Sequence, residues 1–289
     1  MNPSSASRTP TVDRFGYLLA LSRPRFWLYL AGPVLVGLAY GASTIADLYA
    51  PLALALVAYF LVPANVLLYG VNDVFDADID AANPKKNDRE VRYGGQRFVL
   101  AAIGVAVALG VALVLLAPPI ARGWLVGFLV LAVAYSAPPF RFKTTPLLDS
   151  LSNGLYVLPG AAAYAAVAGH HPPLAALVGG WLWTMAMHTY SAIPDVEPDR
   201  QAGIRTTATV LGERGAYTYC VACWTLAAVG FWFVHPFLGV LLFVYPLFAV
   251  VVVVSPVPVE RAYWWYPALN GAVGGVFTVG GLWVLVGGG

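Results

Sequence analysis

The chain alternates long apolar runs with short polar joints, and the pattern repeats from near its start to its end. Nine runs stand out, at residues 26–41, 51–71, 98–117, 123–137, 147–168, 174–193, 216–234, 237–254 and 263–286. They approach the roughly 20 residues a helix needs to cross a bilayer, rather than the ~10-residue alternating strands of a membrane barrel. The first and fourth are short and extend into their flanks. The joints are rich in Pro and Gly, and none is long enough to be a second domain. The pattern predicts an all-α integral membrane protein: one polytopic domain over 1–289, with nine transmembrane helices behind a polar segment, 1–21. The run after that segment lacks a small-residue cleavage pattern, so it reads as a retained first span rather than a signal peptide.

Composition strengthens this picture. Of 289 residues, 60% are hydrophobic and 10% charged, against about 25% charged in a soluble domain. Where the charges lie matters more than the net +2. Sorted onto alternate sides of the nine runs, every Lys and Arg except Arg122 falls on one side, as does every Asp and Glu except Asp47. The positive-inside rule makes that side cytoplasmic, with the N-terminus inside and the C-terminus outside. Polar chemistry is therefore expected on the cytoplasmic face. Cys220 and Cys223 share one apolar run, which suits small buried hydrophobes rather than a disulfide framework or a zinc site.

The densest charge lies at 72–80, N-D-V-F-D-A-D-I-D. On a helix, Asp73, Asp76 and Asp80 are three and four residues apart and share a face, whereas Asp78 points elsewhere. Carboxylates crowded this way repel unless a cation lies between them. Mg²⁺ takes oxygen ligands, and protein carboxylates usually share it with substrate phosphates. A second acidic joint, 193–203, holds Asp195 and Asp199 four apart, with Pro198 between them. Both joints fall on the predicted cytoplasmic side, and two facing carboxylate clusters can hold metal ions and the diphosphate they neutralise. Solvated loop acids are the alternative reading, which two matched clusters weaken.

A diphosphate also needs cationic donors. Arg141 and Lys143, in the joint Y-S-A-P-P-F-R-F-K at 135–143, point the same way if the loop is extended, while Lys85, Lys86, Arg89 and Arg92 follow the first acidic cluster. Polar residues inside the apolar runs are functional candidates by default. Asn65 lies two helical turns before Asn72, and His188 precedes Asp195 by the same interval. Either suits a substrate contact below the metals, although a neutral core histidine fits His188 equally. Tyr69, Tyr135 and Tyr190 suit an aromatic belt or the stabilisation of a carbocation by a ring face.

These motifs, in this order, resemble the UbiA superfamily of intramembrane prenyltransferases. The first family signature, N-D-x-x-D-x-x-x-D, is matched by Asn72, Asp73, Asp76 and Asp80. The second, D-x-x-x-D followed by Gly and a Ser/Thr pair, is matched by Asp195, Asp199, Gly203, Thr206 and Thr207. The loop Y-S-x-P-P-x-R-x-K is matched at 135–143, and nine spans fit the family architecture. Many members carry Arg seven residues before the motif Asn, where this chain has Asn65. Stretches 22–33, 83–93 and 188–199 resemble the lycopene elongase branch, which builds C50 carotenoids of the bacterioruberin type.

The resemblance implies a UbiA-type bundle with a cytoplasmic-side active site. Asp73, Asp76, Asp80, Asp195 and Asp199 are then the ligands of Mg²⁺, two ions bridging a prenyl diphosphate, and Asn72 belongs with them in the catalytic set. Lys85, Arg141 and Lys143 draw off the leaving group. Asn65, Tyr135, His188, Tyr190 and Arg200 complete the substrate-binding set. A dimethylallyl cation would add to lycopene, and water addition or proton loss would quench the product cation. The implied partners are the donor, a lipophilic acceptor and membrane lipid, with no nucleic acid. Rival readings are a quinone precursor, a glycerol lipid or chlorophyllide as acceptor, an ion-coupled secondary transporter, or a scaffold. Transport predicts ionisable groups near the bilayer midplane, whereas these acids lie at run ends.

Overall fold

A computed structural model describes residues 13–77 and 93–287, and every regular element among them is helical. In chain order these are α1 (Arg14–Leu21), α2 (Trp27–Gly41), α3 (Pro51–Leu61), α4 (Pro63–Phe75), α5 (Arg97–Leu116), α6 (Pro119–Ala134), α7 (Leu158–Ala168), α8 (Leu174–Ser191), α9 (Val196–Gln201), α10 (Thr207–Trp232), α11 (Pro236–Leu242), α12 (Val244–Val254) and α13 (Val259–Gly287), with short helical turns between some of them.

Helices occupy all nine predicted runs, but not as one helix per run. Run 51–71 is divided at Val62, whose φ of −125° departs from the helix just before Pro63. Proline lacks the N–H that would continue α3, yet suits the first position of α4. Run 147–168 opens with the turns Leu148–Leu151 and Ser152–Tyr156 before α7 begins. Run 237–254 breaks at Phe243, between α11 and α12. Helix α10 starts nine residues before run 216–234, under a Thr206 cap that accepts from the Thr209 N–H, and bends where Gly212 adopts φ 69°. Among the described residues four stretches are long and apolar enough to cross a membrane: Pro51–Phe75, Arg97–Leu116, Pro236–Val254 and Val259–Gly287.

Among the described residues the helices bury two large apolar cores and a small one around Leu21, Val66 and Val99. The first large core gathers α2 to α7 around Leu56, Phe60, Leu67 and Phe128. The second gathers α8 and α10 to α13 around Tyr190, Trp224, Tyr245 and Tyr266. Tyr156 packs against both large cores. The outside is apolar as well, with Leu115, Leu116, Leu247, Val254 and Trp283 largely exposed. Such a surface would be a liability in water and is what lipid chains cover. Helices α2 and α7 approach closely where glycines face each other. A Cβ on Gly37 would lie 2.2 Å from the Gly160 carbonyl oxygen, and one on Gly160 would lie 2.6 Å from the Pro33 oxygen.

Candidate active site

The end of α4 meets two cationic segments from elsewhere in the chain. The helix stops at Phe75, and Asp76, at φ −104° and ψ 3°, closes it with its N–H on the Asn72 carbonyl. The two acids consequently take separate cations rather than one uninterrupted helical face. Asp73 is 2% exposed, and its Oδ1 lies 3.3 Å from Arg23 Nη2. Asp76 Oδ1 lies 3.0 Å from Arg141 Nη2, and Oδ2 contacts Lys143 Nζ. Carboxylates this enclosed require paired charge, because an uncompensated one costs several kcal/mol.

Asn72 ties the cluster together. Its Oδ1 accepts from Lys143 Nζ at 2.9 Å and from Ser136 Oγ at 3.0 Å. The 135–143 loop is folded back rather than extended. The Lys143 N–H donates to the Tyr135 carbonyl, and Arg141 takes a left-handed φ of 42° before the turn Phe142–Thr144. The fold-back still brings Arg141 and Lys143 to one carboxylate. Arg23 is left-handed too, at φ 50°. Among the described residues the other non-glycine position with positive φ is Leu147, so two of three such strained positions hold the arginines at Asp73 and Asp76. Backbone strain of this kind persists where surroundings over-determine it, and it gathers at functional sites.

A cavity of about 230 Å³ lies beside these acids. Arg23, Asn72, Asn153 and His188 give it polar wall, and rings including Tyr29, Tyr69, Tyr135, Tyr156 and Tyr263 supply much of the rest. The Arg23 guanidinium carbon is 4.5 Å from the Tyr69 ring centre. A second cavity of about 610 Å³ shares Tyr29 and Tyr156 with the first and is otherwise lined largely by apolar groups. It follows α2 from Tyr29 to Tyr40, about 16 Å at 1.5 Å per residue. Phe231, Leu238, Val273 and Phe277 line its other wall.

Not every predicted residue reaches this place. Asp80 and Lys85, with Asp78, Lys86, Arg89 and Arg92, lie outside the described residues. Asp195 ends the turn Ile193–Asp195, and Asp199 lies in α9, half-buried. Among the described residues no three of His, Cys, Asp or Glu gather into a metal-holding group. Donor chemistry nonetheless fits a hard divalent ion: Asp73 and Asp76 present carboxylate oxygens beside the cavity, with no thiol among its lining residues.

Three residues have other surroundings than the sequence suggests. Asn65 does not line the cavity. Its buried amide donates to the Phe60 and Leu61 carbonyls, at 3.1 and 3.0 Å, which the break before Pro63 leaves without helical partners. Replacing it with Ala is expected to cost about 1–3 kcal/mol, since those carbonyls lose their donor. Thermal unfolding in detergent would register the loss, while the donor KM shifts by less than about twofold. Tyr190 is buried in the second core against Trp224, Phe248 and Tyr266. Arg200 donates from Nε and Nη2 to the Thr209 carbonyl, at 3.1 and 2.9 Å, bracing the bend at Gly212.

Sequence reasoning named none of Arg23, Ser136, Asn153 and Asp149 as a site residue, although Ser136 lies in the 135–143 motif. For Asp149 a signal exists, because it is the one acid within run 147–168. It is 1% exposed, accepts from the Thr207 N–H at 2.9 Å and from the Thr207 hydroxyl, and lies 3.6 Å from His188 Nε2.

A model of the UbiA prenyltransferase family matches residues 30–272. The chain is 63% identical over 276 residues to a lycopene elongase/hydratase of Haloferax volcanii, covering 96% of this chain and 92% of that one. It is 59% identical over 276 residues to a lycopene elongase/hydratase of Halobacterium salinarum, covering 94% and 99%. In fold it matches a UbiA homolog from Archaeoglobus fulgidus solved bound to DMAPP and Mg²⁺, with a TM-score of 0.74, 19% identity, and coverage of 93% of this chain and 99% of that one.

Proposed function

The chain belongs to the UbiA prenyltransferase family, a multi-pass membrane family, and from that premise we propose that it transfers a dimethylallyl group from an allylic diphosphate to lycopene and hydrates the product, in C50 carotenoid synthesis. The observation that carries this reading is a pair of cavities that share Tyr29 and Tyr156 in their walls. One is a charged, aromatic head, and the other is an apolar channel suited to a long hydrocarbon acceptor. The relatives named above support the acceptor, with identity over nearly the whole chain. Family membership leaves no need for the transporter reading.

In this proposal the diphosphate binds between the end of α4 and the 135–143 loop. Asp73, Asp76, Asp80, Asp195 and Asp199 would hold Mg²⁺, with nine transmembrane helices placing them at the cytoplasmic face. When bound, magnesium neutralises the diphosphate and so favours its departure. Arg23, Arg141 and Lys143 turn from the carboxylates toward the diphosphate oxygens as charge develops on them, and such preorganised donors are worth several kcal/mol in a water-poor site. The allylic carbon departs without the electron pair of its C–O bond, which stays with the diphosphate. The faces of Tyr29, Tyr69 and Tyr156 attract the resulting cation and add no nucleophile stronger than a phenol. Attack by the terminal alkene of the acceptor then forms the C–C bond and leaves a tertiary cation on the acceptor.

The test is direct. Purified protein receives Mg²⁺, radiolabelled dimethylallyl diphosphate and lycopene, and C45 and C50 products are expected. Product from a quinone precursor, but none from lycopene, would sink the acceptor assignment while sparing family chemistry.

A further inference from the structure

The steps above leave one built arrangement beside the cavity without a task. Asp149, in the turn Leu148–Leu151, is among the most buried acids described, and both its oxygens are engaged by Thr207. Those donors are a peptide N–H and a hydroxyl, which satisfy lone pairs without cancelling charge. A buried carboxylate also needs a cation, or a group able to become one. His188 is that group. Its Nε2 lies 3.6 Å from Asp149 Oδ2, an ion-pair rather than a hydrogen-bond distance.

The histidine belongs to the cavity as much as to the acid. Its ring lines the wall together with Tyr135, Asn153 and Asn72, and it meets the Tyr135 ring edge to face at 6.0 Å between centres. The acid is fixed from three directions. Asn153 Nδ2 donates to its carbonyl at 2.6 Å, and Leu147 N–H holds the Thr207 hydroxyl at 2.7 Å. Further along the turn, Ser150 joins Thr189 of α8 at 3.1 Å, tying the segment to the helix that carries His188. A base beside a buried carboxylate and in the wall of a reaction chamber is an arrangement for taking a proton.

Resting on the reading above, we propose that His188, positioned by Asp149, is the base that converts the elongated cation to a tertiary alcohol. The allylic cation adds to the less substituted end of the terminal alkene, leaving positive charge on the tertiary carbon. A water oxygen forms the C–O bond with one of its lone pairs. One of its O–H bonds breaks, and the proton passes to Nδ1, the nitrogen not turned to Asp149. The imidazolium is held against the Asp149 carboxylate until product leaves and the proton returns to solvent. Without this base, the same cation loses a proton from a neighbouring carbon to the departing diphosphate and becomes an alkene. His188 is thus assigned the choice between hydration and simple elongation, and Asp149 is its positioning residue.

The experiment supplies wild type, His188→Gln and Asp149→Asn with Mg²⁺, dimethylallyl diphosphate and lycopene, and resolves hydroxylated from alkene products by mass. The hydroxylated fraction of elongated product is expected to fall about tenfold or more in His188→Gln, with alkenes rising in its place, a change on the general-base scale. Asp149→Asn should move the fraction in the same direction. A purely structural role would lower total product without moving this ratio. An unchanged hydroxylated fraction in His188→Gln overturns the assignment, and so does complete loss of product from that variant while folded, because C–C bond formation precedes the assigned step. Should Asp149→Asn fail to fold, His188→Gln alone decides. Absence of any elongated lycopene from wild type would instead overturn the acceptor reading, and this proposal with it.

Discussion

Asp76→Asn is expected to lower kcat by about 10³-fold, the scale of losing a preorganised electrostatic contact to developing charge. The carboxylate that is lost faces Arg141 at 3.0 Å and also meets Lys143, so it sets where both cations stand as well as serving as a proposed metal ligand. Asparagine keeps the shape and one acceptor oxygen but removes the charge. Arg141 and Lys143 are then left facing each other across a neutral amide, with Arg141 held in its left-handed backbone by the folded loop. Folding should survive, because Asp76 is partly exposed and Asn72 still accepts from Lys143 and Ser136. The measurement is single-turnover release of diphosphate, with thermal unfolding as control. A variant that releases diphosphate at near wild-type rate would remove Asp76 from the site. Asp199→Asn tests the second motif in the same assay, since α9 lies apart from α4 in sequence and its metal role rests on the motif alone.

The helices were largely legible in the sequence because lipid-facing and core-facing positions are both apolar, so each span announces itself as a run. What runs cannot display is a break within them. Val62 before Pro63 and Phe243 between α11 and α12 lie in apolar sequence whose hydropathy does not change at the break, whereas the turns ahead of α7 fall where Asp149, Ser150, Ser152 and Asn153 interrupt the run. The acids of the site were legible for the opposite reason: charge at the end of an apolar run is scarce and needs a cause. Their partners were not, since Arg23 lies fifty residues before Asp73 and reaches it only through the fold. Position in a run also misled. Asn65 looks like a substrate contact from its spacing and Tyr190 from its place at the end of a run, yet one braces a broken helix and the other packs a core. Asp149 carried the usual sign of a functional membrane acid, but its proximity to His188 and Thr207 depends on three separate segments meeting.

Gly37→Ala is expected to cause the largest loss of stability of any single-methyl change in α2. The added Cβ would lie 2.2 Å from the Gly160 carbonyl oxygen and 3.1 Å from the Tyr164 backbone nitrogen. Both are backbone atoms of α7, so no side-chain rotation relieves the clash, and the helices must separate. Close approach through small residues is the main source of helix association in lipid, where burying apolar surface against another helix gains little over burying it in acyl chains. Parting α2 from α7 should cost about 1–3 kcal/mol as overpacking, and more where contacts along the seam open. The same displacement reaches function. Gly37 and Gly160 line the apolar channel, and Tyr29, one of the two residues it shares with the charged head, lies on α2. The variant is therefore expected to unfold at lower temperature in detergent and to lose lycopene turnover more steeply than diphosphate release, because the acids on α4 lie off the seam. Equal loss of both activities would mean that the α2–α7 contact supports the whole bundle rather than the acceptor channel. Unchanged unfolding would mean that the backbones give way where the geometry says they are fixed.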